Sequence, residues 1–177
     1  MCANETVILV DSRDRVIGTG DKIEVHRVGA LHRAFSVLIF NSRSQLLLQK
    51  RAMTKYHSRG LWSNTCCGHP RPEEPTGQAA RRRLQEEMGL DCPLQEVYSF
   101  TYRTSLENDL IEHEFNHVFI GRSDQNPTPA LSEADEWRWS ALSVLEKEIQ
   151  EKPHEFSYWF RICMNSGELK AIARTSS

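Results

Sequence analysis

Residues 68–90 read GHPRPEEPTGQAARRRLQEEMGL, and the fold turns on what this run forms. Helix formers extend through Glu87, Thr76 suits an N-cap, and Gly89 suits a stop. The spacing therefore predicts a helix over 76–87, entered through a loop that begins at Gly68. On such a helix the arginine run at 81–83 would ordinarily be a solvated face. Just upstream, residues 62–70 read WSNTCCGHP and bring Cys66, Cys67 and His69 together. Three uses suit that trio: a metal clip, a redox pair, or an acid beside a metal ligand.

The chain around this run has the length of one ordinary domain, 177 residues, with 39% apolar and 26% charged residues. A net charge of −2 gives no electrostatic reason to expect nucleic acid or an anionic membrane as partner. No run approaches the ~18 apolar residues of a membrane span. The N-terminus, MCANETVILVDSRD, lacks the layout of a secretory signal. Five cysteines, Cys2, Cys66, Cys67, Cys92 and Cys163, are an odd set at irregular spacing. They make a poor disulfide framework and point to a reducing, cytoplasmic compartment. Without a C-x-x-C pair, a structural zinc knuckle is not expected.

Farther out, ETVILV and RVIGTG read as one hairpin, and AFSVLIF with QLLLQKRA, across NSRS, as a second. LQEVYSFTYRTS, LIEHEFNHVFIG and EWRWSAL read as later strands, and LSVLEKEIQEK and EFSYWFRICM as helices. The loose segment is 122–135. Strands interleaved with a few helices predict an α+β or layered α/β/α domain with a mixed sheet.

On a strand, LIEHEFNHVFI puts Glu112, Glu114 and Asn116 on one face and His113, Phe115 and His117 on the other. Two carboxylates so close repel unless a cation lies between them, although a solvent-facing polar stripe would look the same. His26 and His32, six apart, could face one way in an extended segment. Together with His69 and the two glutamates they would make a five-ligand site with one open position. Imidazole and carboxylate suit Zn²⁺, Mn²⁺ or Fe²⁺ better than Mg²⁺.

The helix carries a more specific signal. Against the spacing G-x5-E-x7-R-E-U-x-E-E-x-G-U, with U a bulky apolar residue, Gly68, Glu74, Arg82, Leu84, Glu86, Glu87, Gly89 and Leu90 fall in place. The stretch resembles the Nudix box, the loop-helix-loop that holds divalent metals against diphosphates. Arg83 stands where the box has a glutamate, so the scaffold is expected to persist without pyrophosphate hydrolysis. With NTCCGHP ahead of it, HRAFSVLIFN upstream and IEHEF downstream, the chain resembles the type I isopentenyl-diphosphate isomerases from about Val7 to Trp159.

That resemblance implies one compact Nudix-like α/β domain, a mixed β-sheet layered between helices, over residues 1–177 with its motifs within 7–160. It implies a cytoplasmic, monomeric enzyme that moves a double bond in a small isoprenoid diphosphate, with neither nucleic acid nor membrane as partner. Cys67 and Glu114 match the catalytic pair, Tyr102 an active-site tyrosine, and Trp159 the tryptophan over the hydrocarbon. His26, His32, His69, Glu112 and Glu114 match the ligands of one divalent metal (Mn²⁺, Zn²⁺ or Mg²⁺). Glu87 and Cys67 match the positions that meet a Mg²⁺ bound with the diphosphate, and Lys22, Arg51, Lys55 and Arg83 its cations. Two departures stand out: the His26–His32 spacer, and Tyr158 where some members have proline.

Protonating an alkene leaves a tertiary carbocation, so the chemistry needs a donor, an acceptor, a dry pocket and an electron-rich face. Cys67 and Glu114 can supply the pair, and the indole of Trp159 the face. Cys66 is expected to be structural, Trp62, Trp137 and Trp139 core, and His57, His113, His117 and His154 surface or packing residues. A Nudix hydrolase and a non-catalytic diphosphate- or metal-binding module are the competing expectations.

Overall fold

The computed structural model describes residues 5–169 and 171; Cys2 and the ends of the expected 1–177 domain lie outside them. The first expected hairpin is present as β1 (Thr6–Val10) and β2 (Val16–Asp21), antiparallel with Thr6 opposite Asp21. The chain then forms α1 (Lys22–Val28), capped by the Asp21 side chain on the Ile23 and Glu24 amides. His26 therefore sits on a helix, not on the extended segment the sequence suggested.

β3 (His32–Phe40) and β4 (Gln45–Arg51) follow. Their ladder is a single pair, Phe40 opposite Leu46, so the second expected hairpin exists only at its turn. Beyond the turn the strands part. β3 runs parallel to β8 (Ile111–Arg122) along its whole length and takes β6 (Cys66–Gly68) against residues 35–37. β4 pairs with β5 (Trp62–Ser63) and with β9 (Ala134–Ala141). β7 (Leu94–Ser105) lies antiparallel beside β8 and completes a mixed sheet.

β3 is apolar on both faces because both are covered. Leu38 and Phe40 join a core with α3 (Leu142–Glu151) and α4 (Tyr158–Asn165) on one side. Phe35, Val37 and Ile39 join Ala79, Ala80, Leu84 and Met88 of α2 (Thr76–Met88) on the other. This is the expected layering of a mixed sheet between helices. α2 begins one residue earlier than the expected cap implies, with Pro75 in the capping position and Thr76 already helical. It ends as predicted, at Gly89 with φ 66°. The segment at 153–165 is divided: a 3₁₀ turn, Pro153–Glu155, precedes α4, whose second residue is Trp159. Among the described residues no helix is long and apolar enough to cross a membrane.

Trp62, Trp137 and Trp139 are half-buried against the two cores rather than inside them. Trp62 carries the Arg138 guanidinium over its ring at 4.5 Å, which explains how an indole this large tolerates partial exposure.

Candidate active site

Sheet register assembles the site. His32, the first residue of β3, is the parallel neighbour of Glu114 on β8, and Tyr102 of β7 lies opposite Glu114 on its other side. Three functional side chains thus lie abreast on three strands. His69 follows β6, and α1 delivers His26, because Gly29 (φ 67°) turns the chain back at the helix end.

His26, His32, His69 and Glu114 bring one donor atom each within 4.8 Å of one another. His32 Nε2 lies 3.2 Å from His69 Nε2, and His69 Nε2 lies 3.2 Å from Glu114 Oε1. His26 Nδ1 donates to the Lys22 carbonyl at 2.7 Å and His32 Nδ1 to that of Ala30 at 2.9 Å. Those backbone bonds fix both tautomers and leave two Nε2 lone pairs aimed inward. His26 Nε2 is buried without a partner. Burial, the larger cause, and neighbouring imidazoles push His26 and His32 down to about 4, so all these rings face one another uncharged. Buried lone pairs converging on a carboxylate are what a divalent ion would satisfy, since ligands bound at about 2.1 Å stand roughly 3 Å apart in cis positions. The donor set fits such an ion.

Glu112, the fifth expected ligand, is not among the four converging donors. Its Oε2 accepts from the Tyr102 hydroxyl at 3.0 Å, while that hydroxyl also reaches Glu114 Oε2 at 2.7 Å. Burial and the adjacent Glu114 charge hold the Glu112 carboxyl well above its usual range. Glu114, although buried, is pulled below it by hydrogen bonding to His69. The two carboxyls are thus pushed apart, Glu112 toward the protonated form and Glu114 toward the ionised one.

His57, expected at the surface or in packing, is buried in this wall. Its Nε2 lies 3.5 Å from Glu112 Oε1, and its ring stands edge-on to Trp159 at 6.0 Å between centroids. Nothing local in the sequence marks it. His113, His117 and His154 stay away from the cluster, as expected: His113 Nδ1 donates to the Gly29 carbonyl, His117 lies between Asp14 and Glu96, and His154 is exposed.

The two cysteines separate as strand alternation requires. Cys66 is fully buried in the core beneath α2, and Cys67 lines a cavity of about 770 Å³ together with Glu114, Tyr102 and Trp159. Burial pushes the Cys67 thiol up to about 12, so it is protonated at neutral pH. Trp159 is buried, its Nε1–H donates to Asn64 Oδ1 at 3.0 Å, and the Arg51 guanidinium lies 5.2 Å from its ring.

The expected diphosphate cations line the same cavity. Arg83 bridges Glu86 and Glu87 at 2.7 Å each and reaches Glu133 at 3.0 Å. Lys55 pairs with Glu133 at 2.5 Å, and Lys22 with Glu5 at 2.7 Å. Glu87 is buried and also accepts from Gln49 Nε2 at 3.2 Å. Glu133 was missed because it closes the segment read as loose. That segment is in fact tied to the end of α2, where Ala130 donates to the Glu87 carbonyl and Thr128 to that of Met88.

A family model described as the NUDIX domain matches residues 30–160. Isopentenyl-diphosphate Delta-isomerase 1 of Aromatoleum aromaticum is 53% identical over 161 residues, 91% of this chain and 91% of that one. Isopentenyl-diphosphate Delta-isomerase of Serratia proteamaculans is 49% identical over 177 residues, covering 98% and 99% of the two chains. Among solved structures, DR0079 from Deinococcus radiodurans superposes with a TM-score of 0.72 at 20% identity, covering 97% and 99%. The MutT protein of Methanosarcina mazei Go1 does so with 0.62 at 19%, covering 83% and 96%. At those identities the two structures speak for the fold alone, whereas the closer sequences speak for the family. By its fold, its box and its close relatives, the chain belongs to the isopentenyl-diphosphate Delta-isomerases of the Nudix superfamily.

Proposed function

We propose that this chain interconverts isopentenyl and dimethylallyl diphosphate in isoprenoid biosynthesis, acting as a single-domain, cytoplasmic monomer on a small-molecule substrate. The carrying observation is a thiol, Cys67, and a carboxylate, Glu114, lining one cavity with Trp159 and a set of cations. The four described cysteines are free thiols, in keeping with a reducing compartment.

In this reading the terminal alkene carbon takes a proton, a tertiary cation forms next to it, and a proton leaves the carbon on the far side. Cys67 and Glu114 are the two proton-transfer groups. Glu114 shares hydrogen bonds with Tyr102 and His69, so its orientation is set before substrate arrives. Trp159 lends its π face to the cation, worth roughly 2 kcal/mol when desolvated. Lys22, Arg51, Lys55 and Arg83 hold the diphosphate, whose charge is constant through the reaction, so their work is positioning. A divalent ion held by His26, His32, His69 and Glu114, with Glu112 alongside, would fix Glu114 and tune its acidity. Mn²⁺ or Zn²⁺ suits that donor set better than Mg²⁺, which we assign to the diphosphate beside Glu87 and Cys67.

The decisive experiment is turnover of isopentenyl diphosphate in deuterated water with Mg²⁺ and Mn²⁺ present. Dimethylallyl diphosphate carrying deuterium is expected. Release of phosphate or pyrophosphate would instead mark a hydrolase, and absence of any turnover would leave a binding module.

A further inference from the structure

Asn64 lies in the loop between β5 and β6 and is fully buried. Its amide uses both ends. Oδ1 accepts from Trp159 Nε1 at 3.0 Å and from Ser63 Oγ at 3.0 Å. Nδ2 donates to the carbonyls of Val37 at 3.2 Å and Cys66 at 2.6 Å. One side chain therefore ties the indole proposed to face the cation to the strand that carries the proposed proton-transfer thiol. We infer that Asn64 is a positioning residue that sets the orientation of the Trp159 indole relative to Cys67, an inference that rests on the isomerase reading above.

Holding α4 in place does not require this bond. The Ser157 amide donates to the Trp62 carbonyl at 2.9 Å, and the hydroxyls of Ser63 and Ser157 meet at 2.9 Å. The Ser157 amide bond docks the start of α4 on β5 without any atom of Asn64, while the Ser63 hydroxyl is shared between Ser157 and Asn64. The Asn64 bond adds a constraint on rotation of the indole about its own side chain. A cation–π contact depends on the ring face being turned to the charge, so that rotation matters more to the cationic state than to the neutral substrate.

The test compares Asn64→Ala with replacement of Trp159 by 3-benzothienylalanine, which keeps ring shape and π face but has no N–H donor. Asn64→Ala is expected to lower kcat by about tenfold or more with KM little changed, as a small misplacement of a reacting group does. Benzothienylalanine at 159 should reproduce the fall without touching Asn64, so the result survives even if Asn64→Ala fails to fold. In a Trp159→Phe background, Asn64→Ala should add little further loss. Full turnover with benzothienylalanine, or an equal loss from Asn64→Ala in both backgrounds, would overturn the inference. If wild type itself does not isomerise, the isomerase reading has failed, which is a distinct outcome.

Discussion

Cys66 and Cys67 share a peptide bond on β6, yet one faces Leu84 and Met88 across the core and the other faces the cavity. Cys67→Ala should cut kcat by orders of magnitude. Cys66→Ser should stay within severalfold of wild type in kcat while melting somewhat lower, since a hydroxyl is costlier to bury than a thiol even beside the Glu87 carboxylate. Steady-state kinetics with thermal melts separates the two, and equal kinetic losses would refute the assignment. Trp159 calls for a different comparison. Phenylalanine keeps a π face but loses the N–H bond to Asn64. Its kcat should fall at least about as far as that of the benzothienylalanine variant and stay above that of leucine. Leucine keeps bulk and dryness only, so kcat should fall much further than affinity for the substrate. An ammonium analogue of the carbocation should also bind the leucine variant more weakly. Equal activity of the two variants would reduce Trp159 to packing and leave Tyr102 as the next partner for the cation.

At the scale of elements, the α1–β3 corner decides whether the histidines meet. His26 and His32 come together because a helix ends and reverses at Gly29, whose φ is 67°. A Cβ there would lie 2.9 Å from Ile111 Cγ2, at the start of β8. Gly29→Ala is therefore both strained and crowded against the strand carrying Glu112 and Glu114, and should cost about 1–3 kcal/mol. Lower metal content by elemental analysis, alongside a lower melting temperature, is the expected result; unchanged metal content would free α1 from this role. The sequence showed much of this architecture where its signal is local. Alternation put Glu112 and Glu114 on one face of β8, and the spacing of the box gave α2 to within a residue. Long-range partnerships were not legible. Glu133 meets Lys55 across 78 residues, and Trp159 meets Asn64 across 95. His57 sits in a turn whose path nothing nearby dictates. The β3–β4 ladder ends after one pair because each strand finds better neighbours elsewhere in the sheet, a choice only the assembled fold makes.

Considered as one molecule, the chain stores electrostatic tension at the centre of its sheet. His26, His32, His57 and His69 are all held below the ordinary histidine value of 6.5, chiefly by burial, His57 down to about 2. In the unfolded chain these rings take up protons as the pH drops through 6.5, and in the folded metal-free chain they do not. Between about pH 6.5 and 4.5 the unfolded state thus binds more protons, and stability falls with acidification. Glu112 and Glu87, raised by burial, act in the opposite sense, but the histidines outnumber them. Each uncompensated proton contributes about 1.4 kcal/mol per pH unit. Metal-stripped protein should therefore melt progressively lower from pH 6.5 to 4.5. Adding Mn²⁺ or Zn²⁺ at neutral pH should raise the melting temperature in proportion to the logarithm of free metal, because only the folded chain brings the donors together. His69→Asn should weaken that metal response and activity together. A melting temperature that neither follows pH across this window nor responds to metal would mean the cluster is an ordinary buried polar network, held by its backbone hydrogen bonds alone.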